Sequence, residues 1–317
     1  MLLVSKCVRD RRADLLLPDV ARLIGSYRSG PRLARLVRHL NVASPQARVV
    51  VLRDRKAPPL NDSEIGACEV VYTVVPVRWG DGTWLVSILS AIRDLALAPQ
   101  DWVTLLSEDS YPLRPLSAFE EALAASGADC WLEEFISQES GKKQPLTRYT
   151  SRAVVLPLSG QSFARRAVWK IGRHLPVVSI EGGRIGTSLQ LRLPRLHTPF
   201  GPSLQPRRGS DWCVLRGTAV ERLVTPEVTP LLHYFCTTYI LSEGFVHSLL
   251  LSDPEVTSHL EASHFVRFNG AHPVLLGLDD VRELRTSSTH WFARKIEAED
   301  VLDELDRAIL PASQLVA

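Results

Sequence analysis

Hydrophobic and polar positions fall in blocks along the N-terminal part of the chain, and each block has its own period. Residues 48–52 form a short apolar run closed by Arg53, Asp54, Arg55 and Lys56, and residues 69–77 form a β-rich run closed by Arg78, Trp79 and Gly80. Runs of this length bounded by polar breaks predict buried strands. Residues 83–97 instead carry Trp84, Ile88, Leu89, Ile92 and Leu95 at helical spacing, the stripe of a helix with one buried face. Residues 102–106 return to a continuous apolar run, again of the buried-strand type. Strand and helix in alternation predict a layered α/β fold with a mixed, mainly parallel central sheet. At the other end, residues 298–310 have the pattern of a closing amphipathic helix.

The stretch 139–208 breaks these periods. It is rich in Gly, Pro, Ser, Arg and Lys, with one helix-like apolar patch at 163–171. It reads as an irregular insertion within a single domain spanning 1–317, and as a candidate acceptor-binding loop.

The strand at 102–106 runs out into Ser107, Glu108, Asp109, Ser110, Tyr111, Pro112 and Leu113. Ligands of open α/β sheets collect at the carboxyl ends of strands, which makes this polar segment a candidate site. A carboxylate at Asp109 needs hydrogen-bond partners if it is buried, and a sugar or a backbone amide can supply them. Capping of the turn at Pro112 would use it equally well.

Composition narrows the classes. The chain has 317 residues, 45% of them hydrophobic and 23% charged, with 37 basic and 35 acidic side chains giving a net charge of +2. That is ordinary globular composition without a global field for nucleic acid, so any anion site is local. The 5 cysteines stand in no C-x-x-C spacing, and none of the 9 histidines belongs to a His-Glu-x-x-His pattern. Disulfide scaffold, zinc knuckle and metallohydrolase are therefore disfavoured. No run of about 18 apolar residues occurs, and the opening Met1-Leu2-Leu3-Val4 turns charged at Lys6, so a soluble cytoplasmic protein without a membrane span is expected. Phosphate-loop, nucleophile-elbow and dinucleotide-binding motifs are missing as well.

The candidate chemistry sits in the C-terminal third. Ser242 can cap a helix whose residues Phe245, Leu249 and Leu250 face inward, which places Glu243 in its first turn, where the helix dipole favours the ionised form. Such a carboxylate can take the proton of a sugar hydroxyl; it is equally an ordinary first-turn residue. No Asp-x-Asp pair is present, so the charge of a departing diphosphate would have to be met by side-chain cations. Arg267, Arg294 and Lys295 can do this, or can be solvated surface charges.

Several of these segments, in the same order, resemble the core-2/I-branching glycosyltransferase family, which includes the peptide O-xylosyltransferases. The resembling segments are Arg78-Trp79-Gly80, Leu105-Leu106-Ser107-Glu108-Asp109-Ser110-Tyr111-Pro112-Leu113, Arg208-Gly209-Ser210-Asp211-Trp212, Ser242-Glu243-Gly244-Phe245, Phe265-Val266-Arg267 with His272-Pro273, and Phe292-Ala293-Arg294-Lys295. The resemblance implies a bacterial-type member with a GT-A-like nucleotide-sugar-binding fold. It implies metal-independent, inverting transfer of a sugar (GlcNAc, xylose or similar) from a UDP-sugar to an acceptor hydroxyl on a glycan, natural product or protein, with no other cofactor. Glu243 would be the general base, and Arg267 and Lys295, helped by Arg294, would hold the diphosphate. Asp109, Trp79, Gly80, Ser210, Asp211 and Trp212 would border the donor and acceptor cleft, though Trp212 reads equally as core packing. The family's opening strand and His-x-Asp segment are matched only by Asp54, in Leu52-Arg53-Asp54-Arg55, as a nucleotide contact. The alternative is a non-catalytic nucleotide-sugar or carbohydrate-binding protein of the same fold.

Overall fold

The computed structural model describes residues 18–28, 30–61, 65–78, 80–135, 147–156, 178–179, 189–238, 240–269 and 272–311. Its strands, in chain order, are β1 (Val20–Ser26), β2 (Arg48–Arg53), β3 (Glu69–Tyr72), β4 (Trp102–Ser107), β5 (Tyr111–Pro112), β6 (Cys130–Trp131), β7 (Ser151–Leu156), β8 (Val178–Ser179), β9 (Leu189–Pro194), β10 (Val214–Arg216), β11 (Ser258–His259), β12 (His264–Val266), β13 (Phe268–Asn269), β14 (His272–Pro273) and β15 (Phe292–Arg294). The helices used below are α1 (Pro31–Ala43), α2 (Thr83–Asp94), α3 (Leu116–Ala125), α4 (Thr147–Thr150), α5 (Gly217–Val224), α6 (Thr229–Phe235), α7 (Ser242–Leu250), α8 (Leu278–Ser287) and α9 (Glu299–Ile309).

Seven strands make the central sheet in the order β11-β6-β10-β4-β1-β2-β3. β1 pairs in parallel with β2 and β4, β2 with β3, and β6 with β11, whereas β10 runs antiparallel between β4 and β6. The sheet is thus mixed and mainly parallel, as the alternation of periods predicts. A second sheet of three strands, β12-β15-β5, pairs β15 parallel to β12 and antiparallel to β5.

Strand alternation sorts the core into two layers. Val20 and Ile24 of β1 pack with α1, α3 and α9 through Leu36, Phe119 and Leu302, while Ala21 and Leu23 face α2, α5 and α7 through Ile88, Leu223 and Phe245. Ile88, Leu89, Ile92 and Leu95 are buried as the helical spacing requires, Trp84 being only partly so, and the closing helix α9 buries Val301, Leu302 and Leu305.

Three local differences from the sequence reading have physical causes. The β-rich run at 69–77 pairs only as far as Tyr72, because the amides beyond it turn to side chains: Val74 N–H donates to Ser87 Oγ and Val77 N–H to Asp54 Oδ1. Among the described residues a strand, β1, precedes the run at 48–52, and it lies within the central sheet with all seven residues buried. Its apolar pattern is interrupted by Arg22, which is fully buried, bonded to Glu120 at 2.7 Å and stacked over Phe119. Where described, the stretch read as irregular holds an antiparallel sheet, β7-β9-β8; the patch at 163–171 lies outside the described residues.

Candidate active site

The carboxyl ends of β1 and β4 meet the second sheet at one carboxylate. Glu108 and Asp109 follow β4 directly and are both buried. Glu108 collects the loop that leaves β1: it accepts from Ser26 Oγ at 2.7 Å, from Arg28 N–H at 2.9 Å and from Tyr27 N–H at 3.3 Å. Asp109, its side chain 2% exposed, lies between two cations: Arg28 Nη1 stands 3.5 Å from Oδ1 and Lys295 Nζ 3.4 Å from Oδ2. The Ile296 amide donates to the Asp109 carbonyl at 3.2 Å, so the backbone after β15 is fixed to the same residue whose side chain meets Lys295.

Glu243 is positioned from a different direction. It occupies the first turn of α7, and Arg208 Nε donates to its Oε2 at 2.7 Å. The segment carrying Arg208 is fastened along that helix, Arg207 N–H donating to Ser248 Oγ at 2.9 Å and Gly209 N–H to the Glu243 carbonyl at 2.9 Å. Glycine is required at 209 by proximity, since a Cβ there would overlap the Glu133 carbonyl and the His247 imidazole. His247, one turn along α7 from Glu243, is fully buried, and burial brings its pKa down to about 4, which keeps the ring neutral.

Ser242 does not cap α7. It is the first helical residue, the cap position falls to Leu241 with no side-chain bond, and the Ser242 hydroxyl donates to Asp211 Oδ2 at 3.1 Å. The other oxygen, Asp211 Oδ1, is buried without a hydrogen bond. Burial, with the neighbouring Glu243 charge added, pushes the Asp211 carboxyl up to about 7 against the opposing pull of Ser242, Arg294 and Arg208. Its neighbours in the segment have distinct jobs. Ser210 Oγ accepts the Trp212 amide at 3.2 Å, and the half-buried Trp212 ring carries the Arg294 guanidinium 4.7 Å from its centre. Trp212 is therefore a cation platform and not simply a core aromatic. Arg294, its pKa lowered by burial, feels both Asp109 and Asp211 and so links the two halves of the site.

The remaining sequence candidates are more peripheral. Arg267 follows β12, and the parallel pairing of Val266 with Arg294 sets Arg267 beside Lys295 at the strand ends. Its guanidinium, 43% exposed, is bonded to Asp280 of α8. Asp54 is buried after β2 with Oδ1 accepting the amides of Lys56 and Val77, both at 3.1 Å; its own amide donates to the Ser26 carbonyl at 2.9 Å, next to the loop that carries Arg28. Gly80, at φ 84°, accepts the Ile240 amide at 3.1 Å and tethers the chain entering α7. Trp79 lies outside the described residues.

Arg28, Glu108 and Arg208 were not singled out by sequence reasoning. Arg208 and Glu108 stood inside the resembling segments, but Arg28 follows a strand whose pattern Arg22 obscures. Among the described residues no three His, Cys, Asp or Glu side chains come together as a metal site, and no helix is long and apolar enough to cross a membrane.

Among solved structures, the chain is similar to a 4-diphosphocytidyl-2C-methyl-D-erythritol synthase at 12% identity and TM-score 0.28, over 67% of this chain and 83% of that one. It is similar to glucosyl-3-phosphoglycerate synthase from Mycobacterium tuberculosis, in complex with Mn2+, uridine-diphosphate and phosphoglyceric acid, at 16% identity and TM-score 0.27, over 57% and 61%. A mannose-6-phosphate isomerase from Helicobacter pylori matches at 13% identity and TM-score 0.28, over 69% and 78%. Scores this low leave the architecture resting on the strand order itself. No curated protein sequence matches the chain. The family model described as Core-2/I-Branching enzyme, by contrast, matches residues 23–281, a span that includes Asp109, Asp211, Glu243 and Arg267 and ends before Arg294 and Lys295. The chain belongs to the Core-2/I-Branching enzyme family of glycosyltransferases.

Proposed function

We propose that the protein is an inverting, metal-independent glycosyltransferase of GT-A-like fold that moves a sugar, GlcNAc, xylose or a close relative, from a UDP-sugar to an acceptor hydroxyl. The observation that carries the reading is Glu243, a partly exposed carboxylate in the first turn of α7 with the Arg208 guanidinium 2.7 Å from Oε2. The Arg208 guanidinium holds one carboxylate oxygen, Oε2, and so orients the group that is to take the acceptor proton. In the transfer, the acceptor oxygen attacks the anomeric carbon on the face opposite UDP, the bond from that carbon to the diphosphate oxygen breaks, and the acceptor proton passes to Glu243.

The leaving diphosphate gathers charge as that bond breaks, and fixed cations stabilise it. Lys295, with Arg294 behind it and Arg267 at the rim, takes that role. Asp109 acts as a positioning residue, holding the ammonium of Lys295 at 3.4 Å. Acceptors are hydroxyl-bearing glycans, natural products or proteins, and the reaction runs in the cytoplasm.

The test is binding and turnover of a UDP-sugar panel in EDTA, with Glu243→Gln as the probe variant. Metal-independent UDP-sugar binding, and a variant that binds UDP normally but has lost turnover, are the expected results. Binding that appears only on adding a divalent ion would overturn the metal-free reading, and an unchanged rate in Glu243→Gln would overturn the base.

A further inference from the structure

The ion cluster at Asp109 contains one cation more than the diphosphate reading uses. That cation is Arg28, and its placement is more tightly specified than that of Arg267. Both of its backbone polar groups are held by side chains: its amide donates to Glu108 at 2.9 Å, and its carbonyl accepts from the buried Arg53 guanidinium. Its Nη1 is 2.9 Å from Glu297 Oε1 and 3.5 Å from Asp109 Oδ1. Glu297 is itself shared with Arg32, at 3.2 Å. The Asp109 oxygen that Arg28 approaches is buried and makes no hydrogen bond, so the contact is electrostatic and leaves guanidinium donors for another partner.

Two cations that sit on opposite oxygens of one buried carboxylate repel each other, and Asp109 between them, with Glu297 bonded to Arg28, offsets that repulsion. Asp109 and Glu297 together face Arg28, Arg32 and Lys295, with Arg294 felt at Asp109, so the cations outnumber the carboxylates paired with them. The Arg28 side chain is 36% exposed, and it projects from the carboxyl end of the central strand β1, where open α/β sheets collect their ligands. A planar guanidinium presents parallel N–H donors to two phosphate oxygens at once, a fixed fork that the compact ammonium of Lys295 lacks.

We infer that Arg28 is a further cation for the diphosphate of the nucleotide donor, beyond Lys295, Arg294 and Arg267, and that Asp109 holds Arg28 and Lys295 together until the donor arrives. The inference rests on the nucleotide-sugar reading above. Arg28 exchanges its Asp109 and Glu297 contacts for phosphate oxygens when the donor enters, while Asp109 keeps Lys295 in place.

The test measures UDP, UMP and uridine binding by calorimetry to the wild-type protein and to Arg28→Gln and Arg28→Lys, with thermal unfolding as the check on folding. Arg28→Gln should weaken UDP by about tenfold or more, the scale of one lost charged hydrogen bond, with a smaller loss for UMP and none for uridine. Arg28→Lys should recover part of the UDP loss. Equal losses for all three ligands would mark Arg28 as merely structural, and unchanged UDP affinity in Arg28→Gln would remove it from the site; either result overturns the inference while the UDP-sugar reading stands. A wild-type protein that binds none of the three would overturn both.

Discussion

Arg208 Nε donates to Glu243 Oε2 at 2.7 Å, and the next residue, Gly209, donates its amide to the carbonyl of the same glutamate at 2.9 Å. One segment thus grips Glu243 by side chain and by backbone, which fixes the carboxylate relative to α7. We predict that Glu243→Gln lowers kcat by about 10²–10⁴-fold, the range for loss of a general base, with UDP affinity unchanged. Arg208→Ala should lower kcat less, because it loosens the base without removing it. The pair of variants is read by steady-state kinetics alongside UDP calorimetry, and a larger kcat loss in Arg208→Ala than in Glu243→Gln would contradict the assignment.

Asp211 gives a stability prediction with a definite sign. Burial, aided by Glu243, raises its carboxyl from 3.8 to about 7, so the unfolded chain ionises first as pH rises. Its contribution is fully present below about pH 4 and is lost as pH rises toward about 7. Asp211→Asn imitates the protonated form and should stabilise the protein at pH 8 while leaving it nearly unchanged at pH 4. At about 1.4 kcal/mol per tenfold change in proton affinity, the gain at pH 8 is on the order of a few kcal/mol. Thermal unfolding of the two proteins across that range decides it, and a gain of equal size at both pH values would mean that ionisation is not the cause.

The sheet and the segments of the candidate site were legible to different degrees for physical reasons. β2, β4, α2 and α9 follow simple apolar periods, and the structure places them within a residue or a few of the sequence boundaries. β1 was missed because its central position carries a charge: Arg22 is buried only because Glu120, Thr104 and the Phe119 ring receive it, and none of those partners is near it in sequence. Arg28 was lost with its strand. Asp109 and Lys295 were individually legible, but their ion pair joins residues far apart in the chain through the β15–β5 pairing, and no local pattern encodes it. Ser242 was given the wrong partner for the same reason: accepting from a local helix amide as a cap was the visible choice, while its hydroxyl donates to Asp211.

Gly209 has no room for a side chain, since a Cβ would overlap the carbonyl of Glu133 and the ring of His247, both parts of the packed framework. Gly209→Ala must therefore displace backbone that presents Arg208. We predict a loss of about 1–3 kcal/mol, typical of overpacking, together with a fall in kcat comparable to that of Arg208→Ala. Urea unfolding and kinetics on the same preparation test this. Wild-type activity in a destabilised Gly209→Ala protein would separate the packing from the positioning role.

Asp306 ties the C-terminal helix to the strands that present the cations. On α9, its Oδ1 meets His39 Nδ1 of α1 and accepts from the Tyr111 hydroxyl, each at 2.6 Å, while Oδ2 accepts from Arg35. Tyr111 belongs to β5, whose partner β15 supplies Arg294 and leads into Lys295. Although burial pushes the Asp306 carboxyl up, bonds from His39, Tyr111 and Arg35 win and hold it at about 2. A depressed carboxylate stabilises the fold above its unfolded value of about 4, and that contribution disappears as pH falls through about 2. Asp306→Asn should therefore cost about 2–3 kcal/mol at pH 7, and the difference from wild type should shrink steadily below pH 4. Because the network also supports β5, UDP affinity should weaken in Asp306→Asn in proportion to the disorder of β15, which amide exchange at Phe292 and Ala293 can follow. Full stability loss with unaltered exchange at those two amides would confine Asp306 to docking α9 and detach it from the cation site.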